Sequence, residues 1–179
     1  MAVKLIEYPD DQDWLAVKNR ALVTVGKHSD KPPTSEWKHK ILEARHSPIR
    51  RLHFSFYISD LPYWVSTELS RHHEGCQPYI KSQRNDRQSE YDRNTARQDA
   101  PVDMIWDLNA EALMTIANKR LCLKATPEAR EVVADMCELA EEACPELHGL
   151  LVRACEFYGG CHEMNPYDCG WMSKWGNPK

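Results

Sequence analysis

The stretch LSRHHEGCQPYIKSQRNDR, Leu69 to Arg87, gathers arginine, histidine, serine and glutamine within one short span. Arg71, His72, His73 and Arg84 supply directional hydrogen-bond donors, and Ser82 and Gln83 add neutral ones. Such a mixture suits a ligand with both phosphate oxygens and heteroaromatic edges, as a nucleotide has. A plainer reading pairs Arg71 and Arg84 with Glu68 and Glu74 on a solvated surface. Taken alone, the stretch leaves both readings open.

A second group of chemically capable side chains stands in the tail CHEMNPYDCGW, where Cys161, His162 and Cys169 could ligate zinc. Adjacent Cys and His lack the usual finger spacing, and a fourth ligand such as Cys155 would have to be recruited. Buried thiols in a C-terminal loop are the simpler account, and no metal is assigned. The chain has seven cysteines, an odd number without C-x-x-C spacing, which reads as reduced thiols rather than a disulfide framework.

The elements that must position these residues follow from the hydrophobic pattern. In DQDWLAVKNRALVTVG, the residues Trp14, Leu15, Leu22 and Val25 recur at roughly helical intervals, and Gly26 is placed to end the helix. HSDKPPTS reads as a connection, after which Ser35 caps a short helix carrying Trp37, Ile41 and Leu42 that stops near Pro48. HFSFYIS alternates, with Phe54, Phe56 and Ile58 on one face, and VDMIWDL does likewise with Val102, Met104, Trp106 and Leu108. Two strands are expected. Asp60 and Pro62 can open a helix through YWVSTELSRHH, which puts Arg71 near its C-terminal end. Asn109 can cap a helix with Leu113, Ile116 and Ala117 inward, and Thr126–Pro127 opens another bearing Val132, Val133, Met136 and Ala140, closed by Pro145.

The sum is an α+β fold, a helix-rich single domain over residues 1–179 with a small central sheet. A chain of 179 residues, 42% hydrophobic, is long enough to bury one core. No apolar run approaches the roughly 20 residues that span a bilayer, and MAVKLIEYPDDQDW lacks the layout of a signal peptide, so no membrane partner and a cytoplasmic location are expected. The net charge of −4 argues against nucleic-acid binding and leaves room for a small anion held in one positive cleft.

Further along stands NAEALMTIANKRLCLKATPEAR, and the two stretches together resemble the flavin-dependent thymidylate synthases, particularly their short phage and bacterial members. The order of motifs agrees as well as the residues. HSPIRRLHFSF matches a histidine, small residue and proline before a Phe-rich strand. SRHH then matches a helix ending in Arg-His-Arg, and SQR the serine and arginine that follow. Asn109 and Ala110 begin the match to Asn-Ala-Arg, and NKRLC and PEAR continue it. The resemblance spans roughly Arg45 to Gly170.

That resemblance implies a homotetramer with shared active sites, which methylates dUMP to dTMP using FAD, methylenetetrahydrofolate and NADPH. It places Arg71, His72 and His73 on the flavin, with Asn109 bordering it. It puts Ser82 near the reactive carbon of dUMP, Arg84 near its phosphate with Gln83 beside them, and Arg97 as a further phosphate arginine. Arg120 would contact the pyrimidine and stabilise the negative charge that makes its carbon 5 nucleophilic, without a cysteine nucleophile. Five features depart from the pattern: His73 stands for an arginine, Arg71 to Ser82 is one residue longer than usual, Glu68 stands for a glutamine near the nucleotide, Glu111 for the arginine of Asn-Ala-Arg, and the segment between Arg84 and Asn109 is shorter than in longer members. The two carboxylates leave open a flavoprotein that acts on or binds a different nucleotide. A non-enzymatic, metal-stabilised module would instead need Cys161, His162 and Cys169 to hold zinc.

Overall fold

A computed structural model describes residues 1–88, 92–164 and 169–171 of the chain. Residues 165–168 of the tail motif lie outside the described residues. Two central strands, β2 (His53–Pro62) and β4 (Pro101–Asn109), pair antiparallel with Phe54 opposite Leu108, Phe56 opposite Trp106 and Ile58 opposite Met104. These six side chains are at most 1% exposed, so the alternation in both segments reports one buried face.

Two further strands complete the sheet in the order β1-β2-β4-β3, with β1 at Ala2–Glu7 and β3 at Cys76–Ile80. They correct the expectation of two strands. β1 is an edge strand with exposed Ile6, and β3 carries Pro78, which only an edge position tolerates without losing a ladder bond. Neither has a pattern strong enough to declare itself before its neighbour is in place.

Helices cover the buried face: α1 (Asp11–Val23), α2 (Ser35–Glu43), α3 (Tyr63–Leu69), α4 (Ala110–Arg120), α5 (Pro127–Ala143) and the short α6 (Ala154–Phe157). The buried apolar residues form one cluster running from Trp14 to Leu151. In α4 and α5 the expected inward residues are buried. Asn109 caps α4 as expected, its Oδ1 accepting from the Ala112 amide at 2.9 Å.

The other helix ends shift. α1 stops at Val23, Gly26 adopts φ +67 in the turn beyond it, and Val25 is exposed rather than part of an inward stripe. The cap of α2 is Thr34, whose hydroxyl accepts from the Trp37 amide, and the helix ends at Glu43 before a 3-10 turn over Ser47–Arg51. Pro145 likewise opens a 3-10 turn, Pro145–Leu147. Asp60 is not a helix cap: it sits in β2 with φ +54, where the register to β4 slips between Ile58 and Leu61. The bulge bends β2 at that point and delivers the chain to α3, which begins at Tyr63.

Candidate functional site

The turn between α3 and β3 carries Arg71, His72 and His73, and Gly75 presses it against the start of α4. Gly75 has φ +69, and a Cβ there would lie 2.4 Å from Nδ2 of Asn109. Its carbonyl accepts from the Asn109 amide at 2.8 Å. Only glycine allows both the left-handed conformation and this approach. The contact closes one wall of a cavity of about 460 Å³, within the roughly 300–1,000 Å³ common for small-molecule sites.

Arg71, His72, His73 and Asn109 all line this cavity. The four positions that the motif resemblance places at the flavin are thus brought together from two separate parts of the chain. Glu74, Gly75, Arg50 and the α4 residues Glu111, Ala112, Thr115 and Ile116 complete the lining. Arg50 and Gly75 were not singled out from the sequence. A signal existed for Arg50, because an acidic Glu111 in a site meant for an anion calls for a counter-ion. The structure supplies it: Nε of Arg50 pairs with the Glu111 carboxylate, which raises the Arg50 pKa further.

Behind the cavity, His72 is held by Arg120. Nε of Arg120 donates to His72 Nε2 at 2.8 Å, its first terminal nitrogen pairs with the Glu68 carboxylate, and its second donates to the Glu68 carbonyl at 3.2 Å. Thr126, at the start of α5, donates its hydroxyl to Oε2 of Glu68 at 2.8 Å. Arg120 and Glu68 are mostly buried, with side chains 19% and 20% exposed. Burial, and then the charge of Arg120, depress the His72 pKa to about 4, so the imidazole is neutral at ordinary pH. Both carboxylates that depart from the family pattern, Glu68 and Glu111, are therefore matched by an arginine.

The residues placed at the nucleotide stand apart from the cavity lining. Ser82, Gln83 and Arg84 follow β3, and Arg84 forks onto Asp86 with contacts of 2.9 and 2.7 Å. Arg97 does the same with Asp99, both contacts 2.8 Å, and these hydrogen bonds, helped by its charge, hold the exposed Asp99 carboxyl below the usual range. The Gln83 Nε2 atom is buried without a partner among the described residues. Arg120 also lies outside the cavity lining.

All seven cysteines are free thiols. Burial pushes Cys137 and Cys144 up to about 12, which makes both unreactive. Among the described residues no group of three or more His, Cys, Asp or Glu side chains is gathered for a metal, so Cys161, His162 and Cys169 do not form a ligand set. His162 instead packs its ring edge-on against Tyr158, 5.5 Å between centroids. No helix among the described residues is long and apolar enough to cross a membrane.

Residues 87–146 match the family model described as thymidylate synthase complementing protein. No curated protein matches the chain. Among solved structures, the fold is similar to the flavin-dependent thymidylate synthase from Helicobacter pylori complexed with FAD and dUMP, with 17% identity and a TM-score of 0.68 over 86% of this chain and 100% of that one. A further structure from that organism, thymidylate synthase X with FAD and dUMP, gives 17% identity and a TM-score of 0.66, covering 84% of this chain and 99% of that one. The matched segment and the fold are both similar to those of the family that the motifs resemble.

Proposed function

We propose that this chain, built on the fold of the flavin-dependent thymidylate synthases, methylates dUMP to dTMP with FAD as its cofactor. The observation that carries the reading is the cavity that unites Arg71, His72, His73 and Asn109. Its size and donor set fit a flavin nucleotide: Arg71 provides charge, the histidines provide donors, and the cationic Arg50 offsets Glu111 at the same wall. FAD reduced by NADPH supplies the hydride when bound, and methylenetetrahydrofolate the one-carbon unit.

The chain's own residues then have distinct tasks. Arg71, His72 and His73 hold the cofactor, and Asn109 borders it while keeping α4 capped. Ser82 lies near the reactive carbon of dUMP, Gln83 beside it, and Arg84 and Arg97 take the phosphate in place of their aspartate partners. Arg120 stabilises negative charge developing on the pyrimidine, with its guanidinium aligned by Glu68 and His72. Because Ser82, Arg84 and Arg97 stand off the cavity, a homotetramer in which one subunit completes another's site accounts for both groups of residues. The single domain, 1–179, works in the cytoplasm, where free thiols persist.

One observation favours a second reading. The Glu68 carboxylate already occupies Arg120, as an anionic ligand would, so a flavoprotein of this fold that acts on or binds a different nucleotide fits as well. The purified protein is expected to show a flavin absorption band and to form dTMP only when dUMP, methylenetetrahydrofolate and NADPH are all present. A flavin band with no dTMP, and tighter binding of another nucleotide than of dUMP, would select the second reading. A protein that binds no flavin would end both.

A further inference from the structure

A guanidinium carries only donors, so the nitrogen of His72 that faces Nε of Arg120 must accept. In a neutral imidazole the proton then sits on Nδ1, which has no protein partner among the described residues, and the ring lines the cavity. The direction of that bond depends on Arg120 staying in place. Glu68 holds it twice, through its carboxylate and its main-chain carbonyl, and Thr126 holds the other carboxylate oxygen of Glu68. The partners come from three elements: Glu68 from α3, Arg120 from the last turn of α4 and Thr126 from the start of α5.

We propose that Glu68, seconded by Thr126, is a positioning residue that fixes His72 as a neutral Nδ1–H donor to an acceptor atom of the ligand in the cavity. The assignment deepens the flavin reading, on which it rests for the ligand's identity. An anchored donor differs from a cationic histidine: it recognises a carbonyl oxygen, phosphate oxygen or unprotonated ring nitrogen, and it carries no charge at neutral pH. The depressed basicity of His72 agrees: burial and Arg120 lower it most, His73 and Lys119 lower it further, and Glu68 alone opposes them.

The test is nitrogen NMR on the flavin-free protein with its histidines labelled, the His72 signals being identified by their loss in His72→Gln. At neutral pH the parent is expected to show a protonated Nδ1 and an unprotonated, accepting Nε2. Glu68→Ala should mix the two tautomers and raise the dissociation constant for FAD about fivefold, the loss of one neutral hydrogen bond. Thr126→Val should do the same to a smaller degree, and it decides the matter if Glu68→Ala fails to fold. A parent His72 protonated on Nε2, or a parental tautomer that persists in whichever of these variants folds, would overturn the proposal. A parent with the expected tautomer that binds no FAD would leave the positioning intact and defeat the flavin reading instead.

Discussion

Two arginine-bearing regions of this molecule are built in opposite ways. Around the cavity, charged groups find partners far away in sequence: Arg120 meets Glu68 across 52 residues, and Arg50 meets Glu111 across 61. Beyond β3, Arg84 and Arg97 each fold back onto an aspartate two residues on. The first kind of contact exists only in the folded protein and holds its groups ready before a ligand arrives. The second kind can form wherever the local chain goes, and its solvent-exposed pairs contribute little to stability. The cavity is therefore a preformed site, whereas the exposed pairs Arg84–Asp86 and Arg97–Asp99 are open to exchange with another anion.

The largest way to break this contrast is to remove the preformation itself. Gly75→Val places a side chain against Asn109 in a left-handed backbone position. It should cost on the order of 2–3 kcal/mol of stability and abolish flavin binding, read from denaturant midpoints and flavin absorbance.

Next in size is the exchange of ligands between regions. Arg71→Ala should weaken FAD about tenfold or more, as expected for a charge-assisted contact, and leave the fold intact. Arg84→Ala should weaken dUMP by a similar factor, affect uridine little because it lacks the phosphate, and leave flavin content unchanged. Calorimetric titration with each ligand separates the two. If both variants lost both ligands equally, the regions would not be functionally distinct.

A smaller effect sharpens the cavity side. Arg50→Ala leaves Glu111 unpaired beside an anionic cofactor and should weaken FAD several-fold. Glu111→Gln in the same chain should restore most of that loss, and additive losses in the double variant would show that the pair does not act as a unit.

The buried histidine yields a pH signature. His72 takes a proton near pH 6.5 when unfolded and near 4 when folded, so between those values the unfolded chain binds more protons. The stability that comes from keeping His72 neutral is full above pH 6.5 and is lost as pH falls toward 4. Chemical denaturation of the parent and of His72→Gln across this window should give a stability difference that shrinks toward acid, and a constant difference would count against the depressed basicity.

The smallest expected effect lies on the adaptable side. Asp86→Asn releases Arg84 and should tighten dUMP about two- to threefold, the worth of an exposed ion pair.

Much of the fold could be read from local pattern. The alternation in β2 and β4, the apolar stripes of α4 and α5 and the Asn109 cap depend on neighbours only a few residues away, and side-chain spacing reports them directly. The motif order likewise marked Arg71, His72, His73 and Asn109, which the fold gathers at one cavity. β1 and β3 were not legible, because an edge strand with exposed or proline-bearing positions is defined by the strand it pairs with. Asp60 has the composition of a helix cap and became a bulge instead, since the register between β2 and β4 outweighed its local preference.

What the sequence determined by itself was which side chains were available and on which helix or strand most of them stood. Tertiary structure alone decided their partners: that Glu68 and Glu111, which look like misplaced negative charges in the sequence, each neutralise an arginine. It also decided which nitrogen of His72 is left to meet a ligand. Ion pairing and tautomer choice depend on distances of a few ångströms between residues dozens apart in the chain, and no short-range periodicity encodes such distances.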